Sequence, residues 1–230
     1  MAIAFVQSIT GSANSTSIPT SAFSSPTATG NLIVVAISGG SSVNGVTSVT
    51  DTAGNTYAKI FSAANSSLAI LDMWYAANIT GVGSNVVTVT RSSAVLTVLA
   101  ACEYSGIAAV PLDVWVTGTA SGVTAAASGS TATTTVANEL VVGGVGTGAA
   151  GTTTATAGSG YGNLVQKSGA SLFVAQESKA VSSTGTQSAA FTLGSADYSV
   201  CGCTTFKGAP DPIGDINCIS KQAVNRGYFY

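Results

Sequence analysis

Nine carboxylates, four cysteines and no histidine make up the reactive inventory of this 230-residue chain. Without an imidazole, neither Ser-His-Asp nor Cys-His catalysis can be assembled, and the commonest metal ligand is missing. A glycosidase needs only two carboxyl groups, one to protonate the leaving oxygen and one to attack or to activate water. Asp72 alternates with Leu68, Ile70 and Trp74, and Glu103 falls on another predicted strand of the same half. On a concave face beside Trp74, such a pair would suit sugar hydrolysis or sugar binding, with Trp74 and Trp115 as stacking surfaces. Nine acids over about fifteen predicted strands will supply some plausible pair in any case. Core packing is therefore the stronger expectation for both tryptophans. Asp51, in Asp51-Thr-Ala-Gly-Asn55, lacks the alternating carboxylates of a calcium loop and predicts an Asx-type turn.

Cysteine supplies the other chemistry. Cys102 alternates with Leu96, Val98, Ala100 and Tyr104 on the more apolar face of its strand, which predicts a buried thiol. Cys201 and Cys203 share one face, and their spacing lies near the outer limit of disulfide geometry, so a bond between them is disfavoured. Cys218 could staple the C-terminal segment to Cys203 or to Cys201, with reduced thiols as the alternative. A metal site from Cys201, Cys203 and Cys218 lacks a fourth ligand and the usual spacing. Gly39-Gly40 and Gly143-Gly144 lead into neither a helix nor a lysine, so no phosphate loop is present. No metal and no cofactor are expected.

The elements that must position these groups are strands. Ala 36, Ser 31, Thr 30 and Gly 27 make up over half of the chain, charged residues are 7%, and the formal net charge is -2. That balance leaves no basic patch for nucleic acid or for an anionic membrane. Apolar runs such as 32–37 and 94–102 fall short of the ~20 residues of a membrane helix. β-Branched runs recur between turns such as Thr52-Ala-Gly-Asn55, Gly81-Val-Gly83 and Gly158-Ser-Gly160. Ile3–Ile9, Asn85–Arg91, Val95–Tyr104, Ser130–Val136, Gln187–Leu193 and Ser199–Phe206 each read as a separate strand. Three Asn-x-Ser/Thr triplets, at Asn14, Asn65 and Asn78, are expected by chance in so Ser/Thr-rich a chain.

The strand list contains a repeat. Asn31-Leu-Ile-Val-Val-Ala matches Asn138-Glu-Leu-Val-Val-Gly, Ser67-Leu68 matches Ser171-Leu172, and Tyr104-Ser-Gly matches Phe206-Lys-Gly. Phe5-Val-Gln-Ser-Ile-Thr-Gly also resembles Val114-Trp-Val-Thr-Gly. Two pseudo-repeated halves, about 1–107 and 109–208, follow. The short, apolar stretch between them, 105–113, is unlike a solvated hinge. The expectation is a single all-β domain over 1–208, an antiparallel β-sandwich of jelly-roll type, with an extended arm over 209–230.

Three stretches carry a family resemblance: Gly30-Asn-Leu-Ile-Val-Val-Ala, Val49-Thr-Asp-Thr-Ala-Gly-Asn-Thr-Tyr57, and Glu103-Tyr-Ser-Gly-Ile with Pro111-Leu-Asp. The chain resembles, over about residues 3–208, a family of uncharacterised bacterial and phage surface β-sandwich modules. The resemblance implies that both halves form one unit, that the setting is secreted or virion-associated, and that no catalytic residues carry over.

The arm opens with Ala209-Pro-Asp-Pro, which blocks sheet pairing, and closes with Arg226-Gly-Tyr-Phe-Tyr230. Its apolar content argues for docking, either on its own sandwich or on a neighbouring subunit through Ile216, Tyr228, Phe229 and Tyr230. The start, Met1-Ala-Ile-Ala-Phe-Val-Gln7, has neither a basic n-region nor an apolar core of signal-peptide length, although a trimmed start would read the same. Together these features predict a non-enzymatic structural protein at a virion surface, a capsid cement or decoration protein in a homo-oligomer with capsid or tail proteins as partners. A tail or fibre component, or a carbohydrate-binding adhesion module of a bacterial surface with a glycan ligand, is the alternative.

Overall fold

A chain of small and β-branched residues with little charge favours long strands, and twelve form in the computed structural model. The structure describes residues 2–39, 45–66, 68–148 and 151–210. Six strands come from the first half: β1 (Ala4–Pro19), β2 (Leu32–Gly39), β3 (Val46–Asp51), β4 (Ala58–Asn65), β5 (Ala69–Ala76) and β6 (Val87–Ser105). Six come from the second: β7 (Ile107–Ala127), β8 (Asn138–Gly148), β9 (Ala155–Thr156), β10 (Gly162–Ser168), β11 (Leu172–Ser182) and β12 (Ala190–Gly208). No helix occurs among the described residues, so none is long and apolar enough to cross a membrane.

The strands form two antiparallel six-stranded sheets packed as a sandwich. The first has the order β1-β6-β2-β5-β4, with β3 also on β6; the second has β10-β11-β8-β12-β7, with β9 also on β12. Replacing each strand by the one six places later turns the first order into the second. Face to face, β1 lies over β10, β4 over β7, and β2 over β8 and β11. The strand orders do not display the jelly-roll winding expected of the sandwich, because each sheet is completed within one half of the chain. The registers also move one sequence match by a residue. Leu32 faces Tyr104 across β2 and β6, and Leu140 faces Phe206 across β8 and β12. Leu32 thus corresponds to Leu140, whereas the sequence match set it against Glu139.

Several strands are longer than the sequence suggests. Asn85–Arg91 and Val95–Tyr104 are largely one strand, β6, and Gln187–Leu193 and Ser199–Phe206 are largely one strand, β12. The Ser/Thr-rich stretches continue the ladder because their backbones find partners: Ser17–Pro19 of β1 pair with Thr90–Thr88 of β6. A register shift between Ser15 and Ser17 marks the bend in this pair, as a bulge does. Past the bend, Val87–Arg91 of β6 pair with β3. Ser130–Val136 forms no strand; its backbone instead bonds across to Gly185 and Gln187.

The bends create three apolar cores. A central one between the sheets draws Leu32, Val34, Leu71, Met73, Cys102 and Tyr104 from one side and Leu140, Val142, Val174, Val200 and Phe206 from the other. An outer core of the first sheet gathers Ile33, Val35, Ile37, Trp74, Val87 and Val89. That of the second gathers Val141, Val145, Phe173, Phe191, Cys201 and Cys203. Both faces of β2 are therefore buried, which is why its sequence is a continuous apolar run and not an alternation.

The two sheets approach closely at one end of β8. A Cβ added at Gly146 would run into the carbonyl oxygen of Ile70, a backbone atom that cannot rotate away. Gly146→Ala is expected to lower the unfolding free energy by about 1–3 kcal/mol, measured by urea denaturation. A change within experimental scatter would mean that the sheets sit farther apart here.

Candidate functional site

The carboxylate pair suggested by the sequence is not brought together. Glu103 lies opposite Ile33 and Asp72 opposite Ile37 of β2. Four residues at about 3.3 Å each separate them by roughly 13 Å along the strand. Glycosidase pairs sit about 5–9.5 Å apart. Both groups are also fully buried. Burial raises the pKa of Asp72, with Ser62, Arg91 and Lys59 acting in the opposite direction. Trp74 is buried in the outer core, with the Lys59 ammonium 5.2 Å from its ring centroid. It offers no face to a sugar. Trp115 does, being 47% exposed with its ring centroid 5.5 Å from that of Phe61.

Glu103 is the anchor of a loop. One carboxylate oxygen accepts hydrogen bonds from the Ala28 amide (2.8 Å) and Asn31 Nδ2 (2.7 Å), the other from Gln7 Nε2 (2.7 Å). Gln7 in turn holds Ser25 through both its N–H and C=O (3.0 and 3.1 Å). The hub thereby fastens residues 25–31, between β1 and β2, onto the outer face of the first sheet. Asp51 does similar work, accepting from the Asn55 amide, Asn55 Nδ2, the Tyr57 hydroxyl and Asn85 Nδ2. Its role is the Asx-type turn. The Asn65 amide is spent on Ala120 O (2.7 Å), bridging the sheets.

A second hub stands at the corresponding place in the other sheet, and sequence reasoning missed it. Asp113 of β7, Thr205 and Lys207 of β12 and Glu139 of β8 meet on its outer face. Asp113 accepts from the Thr135 amide and hydroxyl (2.7 Å each) and pairs with Lys207 Nζ (3.3 Å). Against the effect of burial, the Thr135 bonds, Glu139 and Lys207 bring Asp113 down to about 2. Burial first, then the neighbouring Asp113, pushes Glu139 up to about 7, against hydrogen bonds from Thr205 and the Val136 backbone. The signal was available: Glu139 is a lone charge at the head of an apolar run, at the position where the repeat offers an uncharged residue.

The cysteines lie where alternation put them. Cys102 faces the central core, while Cys201 and Cys203 face the outer core of the second sheet; all three are buried, with no disulfide among the described residues. Burial pushes Cys102 and Cys203 up to about 12, which makes them poor nucleophiles. Cys218, Ile216, Tyr228, Phe229 and Tyr230 lie outside the described residues.

What the surface offers is an edge and a cavity. β7 spans 21 residues at the edge of the second sheet and, among the described residues, pairs with β12 alone. Its one charged side chain, Asp113, is turned inward, while Val110, Trp115 and Val123 are exposed. Beside it, a cavity of about 870 Å³ opens among Ala2, Ala108, Val136, Lys207 and Pro210, the last described residue. Comparison with protein families, with curated proteins and with solved structures gives no match to this chain.

Proposed function

We propose that this chain is a non-enzymatic structural module of a phage particle surface, a capsid cement or decoration protein. The edge of β7 and the arm over 209–230 would meet a neighbouring subunit. The observation that carries this reading is the long, sparsely charged edge strand β7. Soluble proteins blunt exposed edge strands with charge, proline or a covering element, because free N–H and C=O groups template pairing with other chains. β7 has Pro111 near its start and register shifts along its pairing with β12, but the fourteen residues after Asp113 carry no charge, and Trp115 and Val123 are exposed. Low net charge supports the same reading, since attachment would rest on shape and backbone bonds more than on steering. A Thr119→Lys, Val123→Lys variant is expected to fold normally and to stop co-sedimenting with phage particles purified from the source culture. Unchanged co-sedimentation of the folded variant would remove β7 from the interface, and wild-type chain that never sediments with particles would remove the virion setting.

The family resemblance and the duplication belong to the same proposal. The matching strand orders support descent of the halves from one ancestral unit, as does the register. Gly11 faces Leu99 in the first sheet, and Gly118 faces Cys201 in the second. The glycan-binding alternative is favoured by one observation, the exposed ring of Trp115. Glycan-array binding abolished by Trp115→Ala would establish it over the cement role.

A further inference from the structure

The second hub holds what the first lacks, an amine beside a carboxyl group. Lys207 Nζ of β12 lies 3.3 Å from Asp113 Oδ1 of the neighbouring β7. The Asp113 side chain is only 4% exposed, and Lys207 reaches it from the cavity that it helps to line. Glu139, fully buried on β8, stands directly opposite Lys207 in the register and donates a hydrogen bond to the Asp113 carboxylate. Thr205 and the Val136 amide bond Glu139 in turn. Thr135 donates to the two Asp113 oxygens from its amide and its hydroxyl, at 2.7 Å each. In the first sheet the registers put Ser105 where Lys207 stands and Asn31 where Glu139 stands, so that hub lacks the amine.

We propose that Lys207 and Asp113 condense to a side-chain amide, an isopeptide bond that ties β7 to β12, with Glu139 relaying the proton. Lys207 Nζ attacks Asp113 Cγ, which lies one bond beyond Oδ1. One C–N bond forms, one C–O bond breaks, and the carboxyl oxygen leaves as water. Its two hydrogens come from the ammonium, so the ion pair supplies every atom and no oxidant or co-reactant is needed.

Each neighbour has a part in that step. Glu139 gives its proton to an Asp113 oxygen and takes one from the Lys207 nitrogen, a general acid and then a general base. The bonds from Thr205 and the Val136 amide, which favour the ionised carboxylate, support it between the two transfers. The Thr135 donors face the oxygens on which negative charge develops when Cγ becomes tetrahedral. Fixing amine and carboxyl group on paired strands removes the entropy cost that makes amide formation slow between free molecules. The cavity gives the water a way out. Once formed, the amide takes Asp113 out of titration, so what Asp113 contributes to acid stability belongs to the unlinked chain. The rise of Glu139, which burial causes first, remains.

Mass spectrometry of the full folded chain tests this. The intact mass is expected to fall short of the sequence mass by one water. Trypsin should no longer cut after Lys207, and one cross-linked peptide should join Lys207 to Asp113. Lys207→Arg keeps the charge and should show the full mass. Glu139→Gln, followed over time after cell-free synthesis, should link roughly a hundredfold more slowly than the wild type. A folded wild type that keeps its full mass for days, or that loses water without the Lys207–Asp113 peptide, would overturn the bond. Equal linking rates in Glu139→Gln and wild type would overturn the relay. Should the variants not fold, the wild-type mass and peptide map decide alone.

Discussion

Replacing Glu103 by alanine is expected to lower the unfolding free energy by about 3–5 kcal/mol, the largest loss from any single carboxylate in the chain. Three charge-assisted hydrogen bonds of 2.7–2.8 Å disappear at once. Two of the donors left behind, on Gln7 and Asn31, belong to buried residues, so their lost partner is not fully replaced by water. The connection between β1 and β2 is pinned through the same hub and should loosen with it. Thermal unfolding would fall by about 10 °C for a chain of this size. Glu103→Gln keeps the shape and one acceptor, and should recover part of the loss. Denaturant unfolding of the three proteins checks this; an alanine variant within 1 kcal/mol of wild type would show that the carboxylate does not hold the loop.

Raising the pH from about 5 to about 7 should destabilise the protein, with little further loss above about 8. Glu139 and Glu177 are both fully buried and both pushed up to about 7 by burial. Glu177 accepts one strong bond, from the Gly158 amide at 2.7 Å, and the Ala190 amide and Lys179 also work against the rise. In the unfolded chain a glutamate releases its proton near pH 4.3. Between that value and about 7 the folded form therefore holds more protons, and stability falls as pH rises. The slope is at most about 1.4 kcal/mol per pH unit for each group. The direction at Asp72 is the same. Asp113, held at about 2, acts oppositely: its contribution is complete above the usual aspartate value near 4 and is lost toward pH 2. Stability should peak near pH 4–5 and drop by on the order of 2–4 kcal/mol by pH 8. The double variant Glu139→Gln, Glu177→Gln should flatten most of that drop. Thermal midpoints across pH 4–9 decide the matter, and a wild type equally stable at pH 5 and 8 would refute it.

Architecture was more legible in the sequence than any site. Alternation around Cys102 and along 199–206 assigns inner and outer faces, because a strand has a period of two and little else. Two things escaped. The bent strands β6 and β12 were divided at Ser92–Ala94 and Gly194–Ala196, where polar, small residues look like turns although the backbone continues. The carboxylates offered a reactive pair only as a lesser possibility, and distance along β2 separates them while loop amides occupy Glu103. Loop amides leave no periodic trace, so a carboxylate that anchors backbone looks the same in sequence as one that meets substrate. Glu139 stood out as a lone charge, but its meeting with Asp113 left no trace in the sequence, because the two converge through the pairing of β7, β12 and β8.

The pairing of β1 also sets a timetable. Ala4 pairs with Ser105, so the first strand made is joined by a partner about a hundred residues downstream. At roughly 5–20 residues per second, it waits some 5–20 s on the ribosome for β6 to emerge. During that interval, sixteen residues without a single charge have no sheet to join. The same delay recurs in the second half, where Leu112 waits for Phe206. The low charge of these strands is therefore a hazard during synthesis. A slow, non-local fold of this kind depends on its neighbours staying dilute until both sheets have closed.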